Sequence, residues 1–289
     1  MKPDEYCQEK AAASGSSFYY SFLFLPDERR RAITALYAFC REVDDIVDEV
    51  SEPAVARMKL AWWRTQIDKV FDGQPEHPVA RALVPAVTRF ELPRERFHEV
   101  IQGMEMDVDH QGFANFIELT EYCYYAASVV GLLSIDIFGY EHAETRDYAR
   151  DLGIALQLVN IIRDVREDAR RGRIYLPVDE MDAHGVSPDD LLADTTPANL
   201  QTLLASLAAR AREHYQRALD TLPDSDRHAQ RSGLIMARIY MTLLDEMEDD
   251  QFRVLEHRVA LTPIRKLWIA WRAARAERRN YRRLRRQTA

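Results

Sequence analysis

No uninterrupted apolar run in this sequence approaches the ~18 residues that a membrane-spanning helix needs. Residues 131–139 are apolar but too short, and Asp136 interrupts them. Glycine is scarce, 10 in 289 residues, and proline is modest at 12, while alternating strand patterns are few. A sheet-rich fold is therefore excluded, and the abundant Ala, Leu, Arg and Glu favour helix. Cysteine is limited to Cys7, Cys40 and Cys123, with no Cys-x-x-Cys pair. That excludes a disulfide frame and a cysteine zinc site, and suits buried thiols in a reducing cytoplasm. The first ten residues are polar and charged, so no secretory signal is read there. Repeats with a period of about 20 to 50 residues are missing, which excludes a solenoid.

What is present is a 47% hydrophobic composition, enough for a sizeable core. Helical patterning is expected over 26–50, 54–71, 77–90, 93–108, 116–137, 142–168, 199–222 and 232–259. Breaks fall at 73–75, 92–93, 111–112 and 171–173. Residues 176–197 read mainly as loop with one short helix. Short links between many helices point to an all-α fold, one large bundle whose facing helices can build a ligand site.

The net charge of −8 is unevenly spread. Residues 265–289 carry ten Arg or Lys and one acid, Glu277, which leaves −17 on residues 1–264. The organisation expected is thus a main domain over 1–264 and a basic C-terminal tail over 265–289. An acidic body argues against nucleic acid as a partner and suits a site that collects Mg²⁺. In the tail, Leu267, Trp268, Ile269 and Trp271 precede a series of arginines. Trp beside an Arg-rich helix suits peripheral contact with an anionic membrane surface, at the inner face of the cell membrane. The competing reading is a terminal helix packed by its Trp side chains onto the acidic body.

Two acidic stripes carry the chemistry. Tyr37, Arg41, Asp44 and Asp48 follow spacings of 4, 3 and 4 and share one helix face. Asp44, Asp45 and Asp48 repel one another unless a cation compensates. A surface salt-bridge ladder is the alternative. Gly153, Gln157, Asn160, Asp164 and Asp168 form a second, drifting stripe. Asn160 lies in an apolar stretch, where an unpaired amide costs free energy. Either a neighbouring backbone group satisfies it or its carbonyl oxygen ligates a cation beside Asp164.

These two motifs resemble the signatures of the squalene and phytoene synthases. Ser17-Phe18, Tyr122-Cys123-Tyr124-Tyr125 with Gly131, Gly172-Arg173-x-Tyr175-Leu176-Pro177 and Ala237-Arg238-Ile239-Tyr240 extend the resemblance, in the family's order. The opening, from Ala13 to Phe22, is most similar to the bacterial hopanoid-pathway presqualene diphosphate synthases. The resemblance implies a helical bundle of the isoprenoid-synthase type with a central cavity. It implies head-to-head condensation of two farnesyl diphosphates to presqualene diphosphate, an early step of squalene and hopanoid synthesis. Asp44, Asp48, Asn160, Asp164 and Asp168 are the implied ligands for Mg²⁺, or Mn²⁺ in its place. Arg41, Arg163, Arg173 and Arg258 are candidates for the diphosphate, with Ser17, Phe18, Phe22, Tyr37, Gln157 and Tyr240 also on the substrate. Tyr122 matches the family's tyrosine near the reacting carbons and would assist proton removal through the released diphosphate; otherwise it is a core tyrosine.

Prenyl tails need a dry tunnel, for which Phe18, Phe22, Ala126, Val129, Val130, Leu133, Leu156 and Leu158 are candidates. Phe22 stands where C20-using relatives usually carry a smaller residue, so it points to C15 chains. The sequence departs from the family at Ser14-Gly15-Ser16 and at Ala126-Ala127-Ser128. These departures bear on acceptor binding and on any reductive second step. NADPH is not expected, and the product would pass to downstream squalene-pathway enzymes. Phytoene synthase, squalene or dehydrosqualene synthase, and a non-catalytic assembly factor are the alternatives.

Overall fold

In a computed structural model the chain is described over residues 1–13, 17–50, 52–109 and 111–287. Among these residues there is no strand. The helices run α1 (Pro3–Ala13), α2 (Ser17–Phe22), α3 (Asp27–Glu49), α4 (Pro53–Phe71), α5 (Pro78–Phe90), α6 (Arg94–Val108), α7 (Phe116–Cys123), α8 (Val129–Phe138), α9 (Thr145–Arg170), α10 (Val178–His184), α11 (Ala198–Thr221), α12 (Arg231–Asp249) and α13 (Pro263–Gln287). A π-helical turn, Tyr124–Ser128, joins α7 to α8, and a 3₁₀ turn, Pro188–Leu192, precedes α11.

Local chemistry sets several of these ends. Pro53 and Pro78 open α4 and α5, where the missing N–H has no helical partner anyway. Asn115 caps α7 by accepting from the Ile117 and Glu118 amides at 3.0 and 3.1 Å. Buried Asp226 fastens the start of α9, accepting from the Glu141 and His142 amides and from Thr145 Oγ1 at 3.0, 3.0 and 2.7 Å.

Three expectations about elements need correction. Residues 3–13 form a helix that packs on α3 and α5 through Cys7 and Ala11. The helix expected to run to residue 259 stops at Asp249, because Gln251 and Phe252 take left-handed backbone (φ 56° and 52°) and Phe252 turns into the core. The helix expected over 116–137 is interrupted by the π turn.

Two hydrophobic cores hold the bundle. One gathers α3 to α6 with part of α8, and the other gathers α9, α11, α12 and α13. Phe18, Tyr124 and Ala126 pack against both. α3 and α9, which carry the acidic stripes, face each other across the space between these cores.

A candidate diphosphate and metal site between the two cores

That space is a cavity of about 670 Å³, within the range of small-molecule sites. Its lining combines apolar and polar side chains. The apolar part includes Phe18, Phe22, Leu36, Val100, Met104, Ala126, Val130, Leu152, Leu156 and Met236. The polar part includes Tyr37, Arg41, Asp44, Asp48, Gln157, Asn160, Arg163, Asp164, Asp168, Arg171, Arg173, Tyr240, Arg258 and Lys266. Both stripes therefore open onto one cavity, and 3.6-residue periodicity is the reason: Asp44 and Asp48 share a face that Asp45 does not. Asp45 turns instead to Lys10 of α1 at 3.1 Å and to Arg41. Among the tunnel candidates, Val129, Leu133 and Leu158 do not line the cavity; they are fully buried in the cores behind it. The Ser17 side chain and residues 14–16 lie outside the described residues.

Guanidinium groups hold the carboxylates. Arg41 pairs with Asp44, and Arg163 forks onto both oxygens of Asp164. Arg258 Nε donates to Asp164 Oδ1 at 2.8 Å. Arg173 donates to Asp48 Oδ1 at 3.2 Å and to the Val47 carbonyl at 2.8 Å, while Arg171 meets Asp48 at 3.0 Å. Arg171 and Lys266 are cavity cations that sequence spacing did not bring out. Tyr240 sits beside Asn160 and Arg163.

The carboxyls differ in how readily they ionise. Burial and the neighbouring Asp48 push the Asp44 carboxyl up to about 6, against the pull of Arg41. Burial and Asp164 push Asp168 up to about 7. Burial alone would raise Asp164 too, but Arg163 and Arg258 hold it below the usual carboxylate range. Burial is thus the main reason that Asp44 and Asp168 hold their protons more tightly than Asp164 does. Asn160 adds a more specific sign. Its Nδ2 donates to Gln157 Oε1 at 3.3 Å, while its buried Oδ1 has no hydrogen-bond partner. A buried amide oxygen without a donor is costly, and a cation is one group that satisfies it. The donor set, four carboxylates and one amide oxygen, suits hard divalent ions such as Mg²⁺ or Mn²⁺. Among the described residues a further cluster, Glu141, His142 and Asp226, has ligand-like spacing. Its buried member is already saturated by the start of α9.

In the same lining, Tyr122 is buried and its hydroxyl donates to Asp107 Oδ2 at 3.0 Å; Tyr175 donates to Asp107 Oδ1 at 2.7 Å. The two rings stack with centroids 5.2 Å apart. Burial raises the Tyr122 phenol well above its ordinary range, so it stays neutral and acts as a donor. Asp107 was not singled out from the sequence, although an acid three and seven residues after Met104 and Val100 on one apolar helix face was the available signal. Burial pushes it up to about 7, partly offset by the two tyrosine hydrogen bonds and by Arg173. The folded protein thus holds this proton more tightly than the unfolded chain. Its contribution to stability is complete below the ordinary carboxyl pKa and is lost as pH rises through about 7. In Asp107→Asn that component should vanish. Thermal midpoints of the two proteins between acid and neutral pH check this; parallel pH profiles would count against it.

A family model described as squalene/phytoene synthase matches residues 11–265. The chain is 37% identical over 257 residues to a phytoene synthase of Mycobacterium tuberculosis, covering 88% of this chain and 84% of that protein. It is 34% identical over 267 residues to phytoene synthase 2 of Solanum lycopersicum, covering 90% and 86%. It spans a smaller share, 63%, of the Narcissus pseudonarcissus phytoene synthase, at 33% identity. Among solved structures, a dehydrosqualene synthase in complex with ligand superposes with a TM-score of 0.85 at 28% identity, over 95% of this chain and 96% of that one. A squalene synthase from Alicyclobacillus acidocaldarius gives 0.77 at 25% identity, over 87% and 95%. With its two acid-bearing helices facing across one cavity and a family match over most of its length, the chain belongs to the squalene/phytoene synthase family.

Proposed function

We propose that this protein condenses two farnesyl diphosphates head to head, forming presqualene diphosphate and releasing one diphosphate. Members of the family are prenyltransferase-type enzymes that carry out head-to-head isoprenoid condensation, generally with divalent metals. The observation that carries the reading here is one cavity lined both by the two acidic stripes, with an orphaned Asn160 oxygen, and by apolar side chains.

Asp44, Asp48, Asn160, Asp164 and Asp168 would hold the metals, which supply charge neutralisation for the leaving diphosphate. Arg41, Arg163, Arg173 and Arg258 offer forked donors to the same oxygens. The donor's C1–O bond breaks, its carbon joins the acceptor's double bond, and loss of one proton closes the cyclopropane. Neutral Tyr122, locked to Asp107, cannot take that proton itself, so the released diphosphate is the base within reach. The apolar remainder of the cavity keeps water from the cationic carbons. Aromatic faces of Phe18, Phe22 and Tyr37, clustered with centroids 5.7 to 6.4 Å apart, add electrostatic stabilisation.

Chain length rests on Phe22, whose buried ring takes up cavity space and favours C15 over C20. A second reading, phytoene synthesis from C20 chains, is favoured by the phytoene synthases among the curated relatives. Purified protein incubated with Mg²⁺ and either C15 or C20 diphosphate, without NADPH, separates the two. Presqualene diphosphate from the C15 substrate is the expected product. Phytoene from the C20 substrate, or squalene that appears only once NADPH is added, overturns it.

A further inference from the structure

α13 packs on α12 and α2 with one side only. Ile269, Ala270, Ala273 and Glu277 are buried on that side. The competing reading, in which the two tryptophans pack the helix onto the body, is not met: Trp268 and Trp271 are 53% and 52% exposed. With Ile264 and Leu267 they form an outward apolar patch over the first two turns, Ile264 being 81% exposed. Arg272 lies over the Trp268 ring at 4.5 Å and Arg275 over Trp271 at 5.5 Å. Farther along the same outward face stand Arg278, Arg279 and Arg282, all exposed.

The segment's single acid is removed from this face. Glu277 is turned into the protein, where Arg227 reaches it at 3.3 Å and Arg238 at 4.0 Å. The outward surface of α13 is therefore purely cationic and apolar, on a body that carries −17 over residues 1–264. Lys266, in the first turn of α13, lines the cavity from the helix face opposite the patch.

We propose that the outward face of α13 docks on an anionic lipid surface, with Ile264, Leu267, Trp268 and Trp271 entering the headgroup region and the arginines contacting lipid phosphates. The chemistry favours lipid over a polynucleotide. Aliphatic Ile264 and Leu267 have nothing to gain from a phosphate backbone, whereas Trp with flanking Arg matches the bilayer interface. The body carries −17 over residues 1–264, so the basic outward face of α13 is the part of the molecule that an anionic surface attracts. The docking does not depend on the condensation reading, because its readout needs no substrate.

Sedimentation of the full chain with phosphatidylcholine vesicles, with and without phosphatidylglycerol, tests this. Binding should require phosphatidylglycerol and weaken by about tenfold or more when salt is raised toward the range where the Debye length is a few ångström. Trp268→Ser/Trp271→Ser and Arg275→Gln/Arg278→Gln/Arg279→Gln/Arg282→Gln should each lose about tenfold or more in vesicle affinity, with unchanged helical circular dichroism. Equal binding to neutral vesicles, no binding at all, or variants that bind as the parent does would overturn the proposal. So would a preference for single-stranded RNA over vesicles, or a stable dimer that the tryptophan variant dissociates.

Discussion

Asp48→Asn and Asp164→Asn should each reduce turnover by roughly 10³-fold or more, the loss of several kcal/mol of charge stabilisation in the transition state. Both carboxylates line the cavity, one on each wall. Asparagine keeps the volume and an acceptor oxygen but removes the charge, so the helices should remain as they are. Asp45→Asn is the informative control. It is one residue from Asp44 in sequence, yet it lies off the cavity and pairs with Lys10 and Arg41. Its loss should cost less than about tenfold, the scale of a weakened support for Arg41. Steady-state turnover at saturating Mg²⁺, with circular dichroism to check the fold, measures all three. Comparable losses in Asp45→Asn and Asp48→Asn would mean that the α3 acids act as a diffuse negative patch and not as individually placed ligands.

Gly153→Ala should lower the thermal midpoint by about 5 °C or more, and activity with it. A methyl group there would lie 2.5 Å from Ser128 Cα and 2.7 Å from Ser128 N. Those are backbone atoms of the π turn, so no side-chain rotation relieves the overlap and either α9 or the turn must shift. The turn begins two residues after Tyr122, and α9 carries Gln157, Asn160 and Asp164, so a shift reaches the tyrosine and the acidic stripe alike. Gly73→Ala serves as comparison: nothing lies within 4 Å of that position, and only its left-handed backbone (φ 78°) resists the change, at a cost of about 1 kcal/mol. Differential scanning calorimetry of the two variants decides the point. Equal midpoints would show that the close approach of α9 to the turn yields easily.

Much of the fold was legible because its signals are local. Apolar periodicity and proline placement located the long helices to within a few residues. The misreadings arise where tertiary contacts outweigh local preference. The segment 250–259 has helical composition, but burying Phe252 requires a left-handed turn. Residues 3–13 have almost no amphipathic pattern, and their helix is settled by packing Cys7 and Ala11 on α3 and α5. The π turn, which places one extra residue between Tyr122 and Gly131, leaves no mark in a one-dimensional pattern.

The site divides in the same way. Spacing alone put Asp44 with Asp48 and Asn160 with Asp164 on shared helix faces, because 3.6-residue geometry is a property of one segment. No spacing rule could say that the two faces meet across one cavity, since α3 and α9 are more than a hundred residues apart and separate cores position them. The Asp107 link to Tyr122 and Tyr175, and the turning inward of Glu277, are likewise decisions of packing. The sequence by itself determined the helices, the oxygen ligands each can offer and the basic bias of the tail. Only the tertiary structure decided which charges face each other, which are cancelled and which are left outward, because electrostatic and hydrogen-bond energies depend on distances between segments that the linear order does not contain.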